Sequence, residues 1–170
     1  GNLIARLIKA GFPLRKLRKL AEEFRPQIEA ANARISPFPG IVEILNRLSE
    51  CYPVIIITAN ATQVVQQFLD GHHLHKVRGV LGSDIETSKV KKIRMARKQF
   101  PSYTPYYIGD TKGDMLEARR AGAIPIAAGW GWHDHERLQS AQPLHILQLK
   151  EELIPFFEFV SPAVTRSNEL

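Results

Sequence analysis

A chain of 170 residues, 44% of them hydrophobic, is long enough for one packed domain with an appendage and shows no bias toward disorder. Its single cysteine, Cys51, excludes an internal disulfide framework and fits a reducing, cytoplasmic setting. The net charge of +6 is concentrated at the start, where residues 1–34 hold eight Lys/Arg against three Glu, and the remainder is nearly neutral.

The apolar runs, such as Val54–Ile57, are far too short for a membrane span. The basic segment lacks the interleaved aromatics of a nucleic-acid binder, so it reads as a solvated helix face. Neither a membrane nor a nucleic acid is expected as a partner. No signal-peptide pattern opens the sequence, and Gly1 reads as a remnant rather than a native start.

In chain order, Leu14, Leu17, Leu20, Phe24 and Ile28 fall at helical spacing, which predicts a helix over 14–34, bent or broken near Pro26. Ser36-Pro37-Phe38-Pro39-Gly40 is a rigid connector and the clearest internal boundary. A helix is expected over 41–49, a buried β-branched strand over 53–58, and a helix over 62–70. There follow a strand over 77–81, a helix over 89–100 and a strand over 106–108. The pattern closes with a helix over 114–121, strands over 124–127 and 144–147, and a helix over 150–159. Alternation of this kind predicts an α/β fold, a doubly wound parallel sheet with helices on both faces.

Three of these strands end in residues suited to an anion. The first ends Ile57-Thr58-Ala59-Asn60, where a hydroxyl and the N–H groups of Ala59 and Asn60 would open a helix as a phosphate cradle. The second exits through Gly82-Ser83-Asp84, followed by Lys89. The third ends Gly109-Asp110-Thr111-Lys112-Gly113-Asp114. Asp110 leaves the carboxyl end of its strand, the end at which open parallel sheets bind ligands. Asp114, one helical turn on, returns to the same point and adds a second hard oxygen ligand suited to magnesium. Each signal alone is weak, and acids at a helix start serve as caps too.

In this order the elements resemble the haloacid dehalogenase superfamily, especially its phosphoglycolate-phosphatase-like members, over about residues 36–160. Ile55-Ile56-Ile57-Thr58-Ala59-Asn60 resembles the strand ending in Ser/Thr, Lys89 the basic residue opening a later helix, and Gly109–Asp114 the acidic metal motif. Lys91 and Lys92 are close enough to compete with Lys89. The entrance at Pro39-Gly40 and the run Ala128-Gly129-Trp130-Gly131-Trp132 resemble the family as well.

The resemblance implies a magnesium-dependent phosphatase that hydrolyses a small phosphorylated metabolite through an aspartyl-phosphate. In that scheme Asp110 and Asp114 hold Mg2+, Thr58 and Lys89 bind the transferring phosphoryl group, and Ala59 and Asn60 assist. It also implies residues 1–36 as a helical cap remnant, 37–160 as the core and 161–170 as a tail. The superfamily's nucleophile, an Asp-x-Asp-Gly-Thr stretch on a first strand, is nowhere in these 170 residues. Either that segment lies outside this sequence, or the chain is a non-catalytic phosphate- or partner-binding relative. In the family this strand lies mid-sheet, so a gap exposing backbone donors and acceptors is expected. The substrate and the oligomeric state are not encoded in any motif.

Other candidates have plainer readings. His72, His73 and His75 suit a solvated helix C-terminus. His133-Asp134-His135 reads as a surface loop at the rim of the pocket, and Trp130 and Trp132 as either a pocket cover or packing for the last helix. The basic residues at 91–98 read as the wet face of a helix.

Overall fold

The structure is a computed structural model that describes residues 35–160 and, before them, Gly11, Pro13, Arg15, Lys16, Lys19 and Glu22–Phe24. Two compact units divide the chain, residues 1–36 and 37–170. In the first, Arg15, Lys16, Lys19 and Glu22–Phe24 are helical, in keeping with the leucine spacing. The expected break at Pro26, most of the cap segment and the tail at 161–170 lie outside the described residues.

The second unit runs α1 (Ile41–Cys51), β1 (Ile55–Ile57), α2 (Thr62–Gly71), β2 (Gly79–Leu81), α3 (Lys89–Gln99), β3 (Tyr106–Gly109), α4 (Lys112–Ala121), β4 (Ile124–Ala128), α5 (His135–Gln139), β5 (His145–Leu147), a 3-10 turn (Lys150–Glu152) and α6 (Leu153–Val160). Two boundaries differ from expectation for local reasons. Helix α4 starts two residues early because Thr111 caps it: its hydroxyl accepts from the Asp114 N–H, and the Asp114 carboxylate accepts from the Thr111 N–H. Helix α5 is absent from the sequence reading, and its five residues are set by Asp134, whose carboxylate accepts the Arg137 N–H at 2.8 Å. No helix among the described residues is long and apolar enough to cross a membrane.

All strand pairs are parallel, but they form two sheets rather than one: β1 with β2, and β3–β4–β5 in that order. Within β4, Pro125 lacks an N–H yet interrupts nothing, because pairing with β5 begins only at Ile126 and His145. Two sets of helices bridge the halves. On one face, Ile44 and Leu48 of α1 pack with Ile126 and Leu147. Val42 and Leu45 of the same helix pack with Ile56 and Val80. On the other face Ile93 of α3 and Ala118 of α4 pack with Ile57 and Tyr107. The break falls between β1 and β3, where a mid-sheet strand is expected to be missing.

Candidate functional site

The carboxyl ends of β1 and β3 are joined through two lysines of α3. Lys89 Nζ bonds Asp114 Oδ1 and lies 3.8 Å from Glu117. Lys92, three residues on, is only 3% exposed and donates to the carbonyl of Thr58 at 2.5 Å and that of Gly82 at 3.5 Å. Residues three apart share a helix face, so the first turn of α3 grips the β1 end with one ammonium and the start of α4 with the other. Thr58, Lys89 and Asp114 therefore belong to one region. Lys91 points elsewhere: it pairs with Glu86 at 3.3 Å and its side chain is 67% exposed.

The wet-face reading of residues 91–98 fails at Lys92. Arg94 and Arg97 are exposed as that reading expects, and their guanidiniums also donate to the carbonyls of Arg120 and Ala121 at the end of α4. One signal for Lys92 was available in the sequence, its i+3 spacing from Lys89.

The phosphate cradle after β1 is narrower than the sequence suggests. The Asn60 N–H is already donated to Thr58 Oγ1 at 3.0 Å. The first amide of α2, that of Thr62, donates to Asp84 Oδ1 at 2.7 Å, and the Thr62 hydroxyl donates to the same oxygen at 2.9 Å. These two bonds hold the Asp84 carboxyl below the usual carboxylate range. The exposed Ala59 can still offer its N–H, and Thr58 its hydroxyl hydrogen, to an anion here.

Asp114 is 4% exposed and both of its oxygens are engaged, with Lys89 on one and the N–H and hydroxyl of Thr111 on the other, at 3.1 and 2.7 Å. Burial alone would raise its pKa, but Lys89 and then Thr111 outweigh it and hold the carboxyl below its ordinary value. Burial likewise works against the Lys89 ammonium, and the bond to Asp114 more than offsets this, so Lys89 stays charged above the ordinary lysine range. Tyr107 packs beside the pair, with the ammonium 6.0 Å from its ring centre, and burial pushes its phenol up to about 12. Gly109 is required here: a Cβ on it would lie 2.5 Å from the Asp114 Cβ.

Asp110 is held by a different element. The loop after β4 wraps over it, with the Trp132 N–H donating to Asp110 Oδ2 at 3.0 Å and the His133 N–H to the Asp110 carbonyl at 3.1 Å. His133 Nδ1 accepts from the Lys112 N–H at 2.9 Å, which places a neutral ring's proton on Nε2. Gly131 permits this approach, since a Cβ there would sit 2.2 Å from the Asp110 Cβ. Trp130 packs into the α1–α6 core, whereas Trp132 is 83% exposed at the rim. The contact between this loop and Asp110 is not visible in the sequence, because it joins residues more than twenty apart.

The two acids thus differ in what they can do. Asp114 is neutralised and organises the turn, while Asp110 keeps its Oδ1 without a protein partner among the described residues. No group of three His, Cys, Asp or Glu side chains able to hold a metal occurs among the described residues. One open carboxylate oxygen is a single ligand, short of the near-octahedral set that magnesium requires. The residues present do not by themselves form a complete magnesium site.

Comparison with known proteins agrees with this architecture. The sequence profile of haloacid dehalogenase-like hydrolases matches residues 3–128. The chain is 25% identical over 150 residues to a phosphoglycolate phosphatase of Synechococcus elongatus, spanning 86% of the chain and 71% of that protein. It is 23% identical over 160 residues to the phosphoglycolate phosphatase of Escherichia coli, spanning 87% of the chain and 61% of that protein. A solved haloacid dehalogenase-like family protein of Streptococcus pneumoniae superposes with a TM-score of 0.76 at 27% identity, covering 92% of this chain and 77% of the other.

Proposed function

The chain belongs to the haloacid dehalogenase-like hydrolase family, and we propose that it supplies the phosphate-holding part of a magnesium-dependent phosphatase acting on a small phosphate monoester. The observation that carries this reading is the convergence of Thr58 and Asp114 at the carboxyl ends of two half-sheets through Lys92 and Lys89. Relatives named phosphoglycolate phosphatase support a small phosphorylated metabolite as substrate.

In this reading the Thr58 hydroxyl and the Ala59 N–H donate to phosphoryl oxygens, and the Lys89 ammonium offsets charge as it develops. Asp114 holds Lys89 in place, and the Gly131–His133 loop holds Asp110. Asp110 Oδ1 would be one ligand of a magnesium ion, which supplies charge neutralisation at the phosphate; the remaining ligands come from outside the described residues. The reacting carboxylate also comes from outside them. Its oxygen forms a bond to phosphorus as the ester P–O bond breaks, the leaving alcohol takes a proton, and water then hydrolyses the acyl phosphate. A reducing, cytoplasmic location fits the lone thiol.

The 170-residue chain alone should show no turnover of p-nitrophenyl phosphate with magnesium above background. A chain extended by an apolar strand ending in Asp-x-Asp should turn it over, and Asp110→Asn should abolish that activity. Turnover by the unextended chain that Asp110→Asn removes would place a nucleophile within these residues. A non-catalytic binding module is the alternative, favoured by the lack of an Asp-x-Asp after any apolar strand. It requires the extended chain to bind phosphate without turnover.

A further inference from the structure

Strand pairing of β3 ends at Gly109 and helix α4 begins at Lys112, so Asp110 belongs to neither element. The loop after β4 orients it instead, and within that loop His133 makes two bonds to the short segment carrying Asp110. Its backbone N–H donates to the Asp110 carbonyl at 3.1 Å, and its Nδ1 accepts the Lys112 N–H at 2.9 Å. The Lys112 amide is the first of α4, one of the donors that a helix start leaves without a partner inside the helix. Thr111 does not serve it, because its hydroxyl accepts from Asp114.

The two bonds reach residues two apart on the held segment and come from one residue of the loop, so they fix loop and segment against each other as a strand ladder does. With the loop so fixed, the preceding amide, that of Trp132, reaches Asp110 Oδ2 at 3.0 Å. The far end of the loop is anchored separately, by the Asp134 cap of α5 and by His135 Nδ1 against Gln148 Nε2 at 3.1 Å. Among the described residues, the His133 ring is therefore the loop side chain bonded to the segment that carries Asp110.

We infer that His133 is a positioning residue: by accepting the Lys112 N–H it holds the loop where the Trp132 amide engages one oxygen of Asp110 and leaves the other open. An apolar side chain at 133 would hand the Lys112 amide to water and leave the loop held by main-chain bonds alone. The acceptor has to stand where Nδ1 stands, on the atom beyond Cγ. Asn supplies one there as Oδ1, and Leu supplies none. That the open oxygen serves a cation rests on the proposed function; the hold on Asp110 does not.

Nuclear magnetic resonance on the isotope-labelled 170-residue chain tests this at about pH 7.5, above the ordinary imidazole range. A scalar coupling should cross the hydrogen bond between the Lys112 amide nitrogen and His133 Nδ1. His133→Leu should speed amide exchange at Lys112, Trp132 and residue 133 by about fivefold, the worth of one hydrogen bond. Ile126, buried within β4, should keep its rate. His133→Asn should restore slow exchange at Lys112 and Trp132. In the chain extended by an Asp-x-Asp strand, His133→Leu should raise the magnesium concentration at half-maximal turnover of p-nitrophenyl phosphate about fivefold, leave KM for the ester unchanged, and be rescued by His133→Asn.

This exchange pattern with the shifted magnesium requirement supports both the positioning role and the phosphatase. The same pattern with no turnover by the extended parent supports the hold on Asp110 and refutes the phosphatase. Trp132 exchange in His133→Leu within error of the parent overturns the positioning role, as does exchange in His133→Asn as fast as in His133→Leu. A rise shared by Ile126 overturns it too, since His133 would then only support the fold. An active extended chain whose magnesium requirement His133→Leu leaves unmoved has the same consequence.

Discussion

Lys89→Met should expose the energetic logic of the site. The substitution keeps much of the side-chain volume and removes the ammonium, leaving Asp114, 4% exposed, without its cation. Breaking a buried ion pair from one side costs about 3–5 kcal/mol when both partners are fully buried. The Lys89 side chain is 31% exposed and Asp114 keeps two Thr111 donors, so the expected loss is about 2–4 kcal/mol. With a urea m-value of about 2 kcal/mol/M, the midpoint should fall by about 1–2 M at pH 7.

The pH dependence fixes the cause. In the parent chain the Asp114 pKa is depressed, so its stabilising contribution is present above the unfolded value, near 4, and is lost as pH falls through the folded value. Without Lys89 the largest influence holding that pKa down is gone and burial pushes it up. The variant is then penalised at pH 7 and relieved when the carboxyl takes up a proton. The gap between parent and variant midpoints should narrow steadily from pH 7 to about pH 4. Adding Asp114→Asn to Lys89→Met should cost less than the sum of the two single changes. A variant midpoint within error of the parent at pH 7, or a gap independent of pH, would refute the pairing argument.

Three further outcomes follow from the same geometry. Lys92→Met removes a buried ammonium along with its carbonyl bonds, so stability should change by no more than about 1 kcal/mol. Amide exchange at Thr58 and Asn60 should nevertheless speed up by nuclear magnetic resonance, because the β1 end loses its tether. Gly131→Ala places a Cβ 2.2 Å from that of Asp110. It should destabilise the chain by about 1–3 kcal/mol in thermal melts and shift tryptophan fluorescence as the Trp130–Trp132 loop moves. Ultraviolet titration at 295 nm should show a tyrosine still protonated after ordinary phenols have ionised near pH 10, with a step near the value of about 12 that burial gives Tyr107. Tyr107→Phe should delete that step. Because this folded pKa is raised, Tyr107 lowers stability as pH climbs above the unfolded value, and the Phe variant should resist alkali better.

Apart from α5, which its Asp134 cap sets, the order of elements was legible because the strands are short, mostly β-branched or aromatic runs separated by helices with apolar positions at helical spacing, so alternation alone implied parallel pairing. Helix α4 starts two residues earlier than its periodicity predicts because the Thr111–Asp114 capping box extends it. An acid at the third helical position serves its own cap and here also meets Lys89, interactions that compete with a metal for the Asp114 carboxylate. Lys92 was missed because a lysine among Arg and Lys residues reads as solvated, and only its register with Lys89 speaks otherwise. The grip of the Gly131–His133 loop on Asp110 depends on where β4 ends relative to β3, and periodicity does not encode that.

The i, i+3 spacing of Lys89 and Lys92 also accounts for how the site persists across a divided sheet. Two lysines on one helical turn start about 5–6 Å apart and each extends several ångströms, so one turn of α3 reaches both the end of β1 and the start of α4. Aliphatic residues at both positions would leave β1 and β3 linked only by the non-directional packing of Ile57 and Tyr107 on α3 and α4. Directional bonds to the Thr58 carbonyl and the Asp114 carboxylate instead fix the two strand ends in register. The buried charge at Lys92, costly for stability alone, is therefore best explained as the element that ties the end of β1 to the first turn of α3.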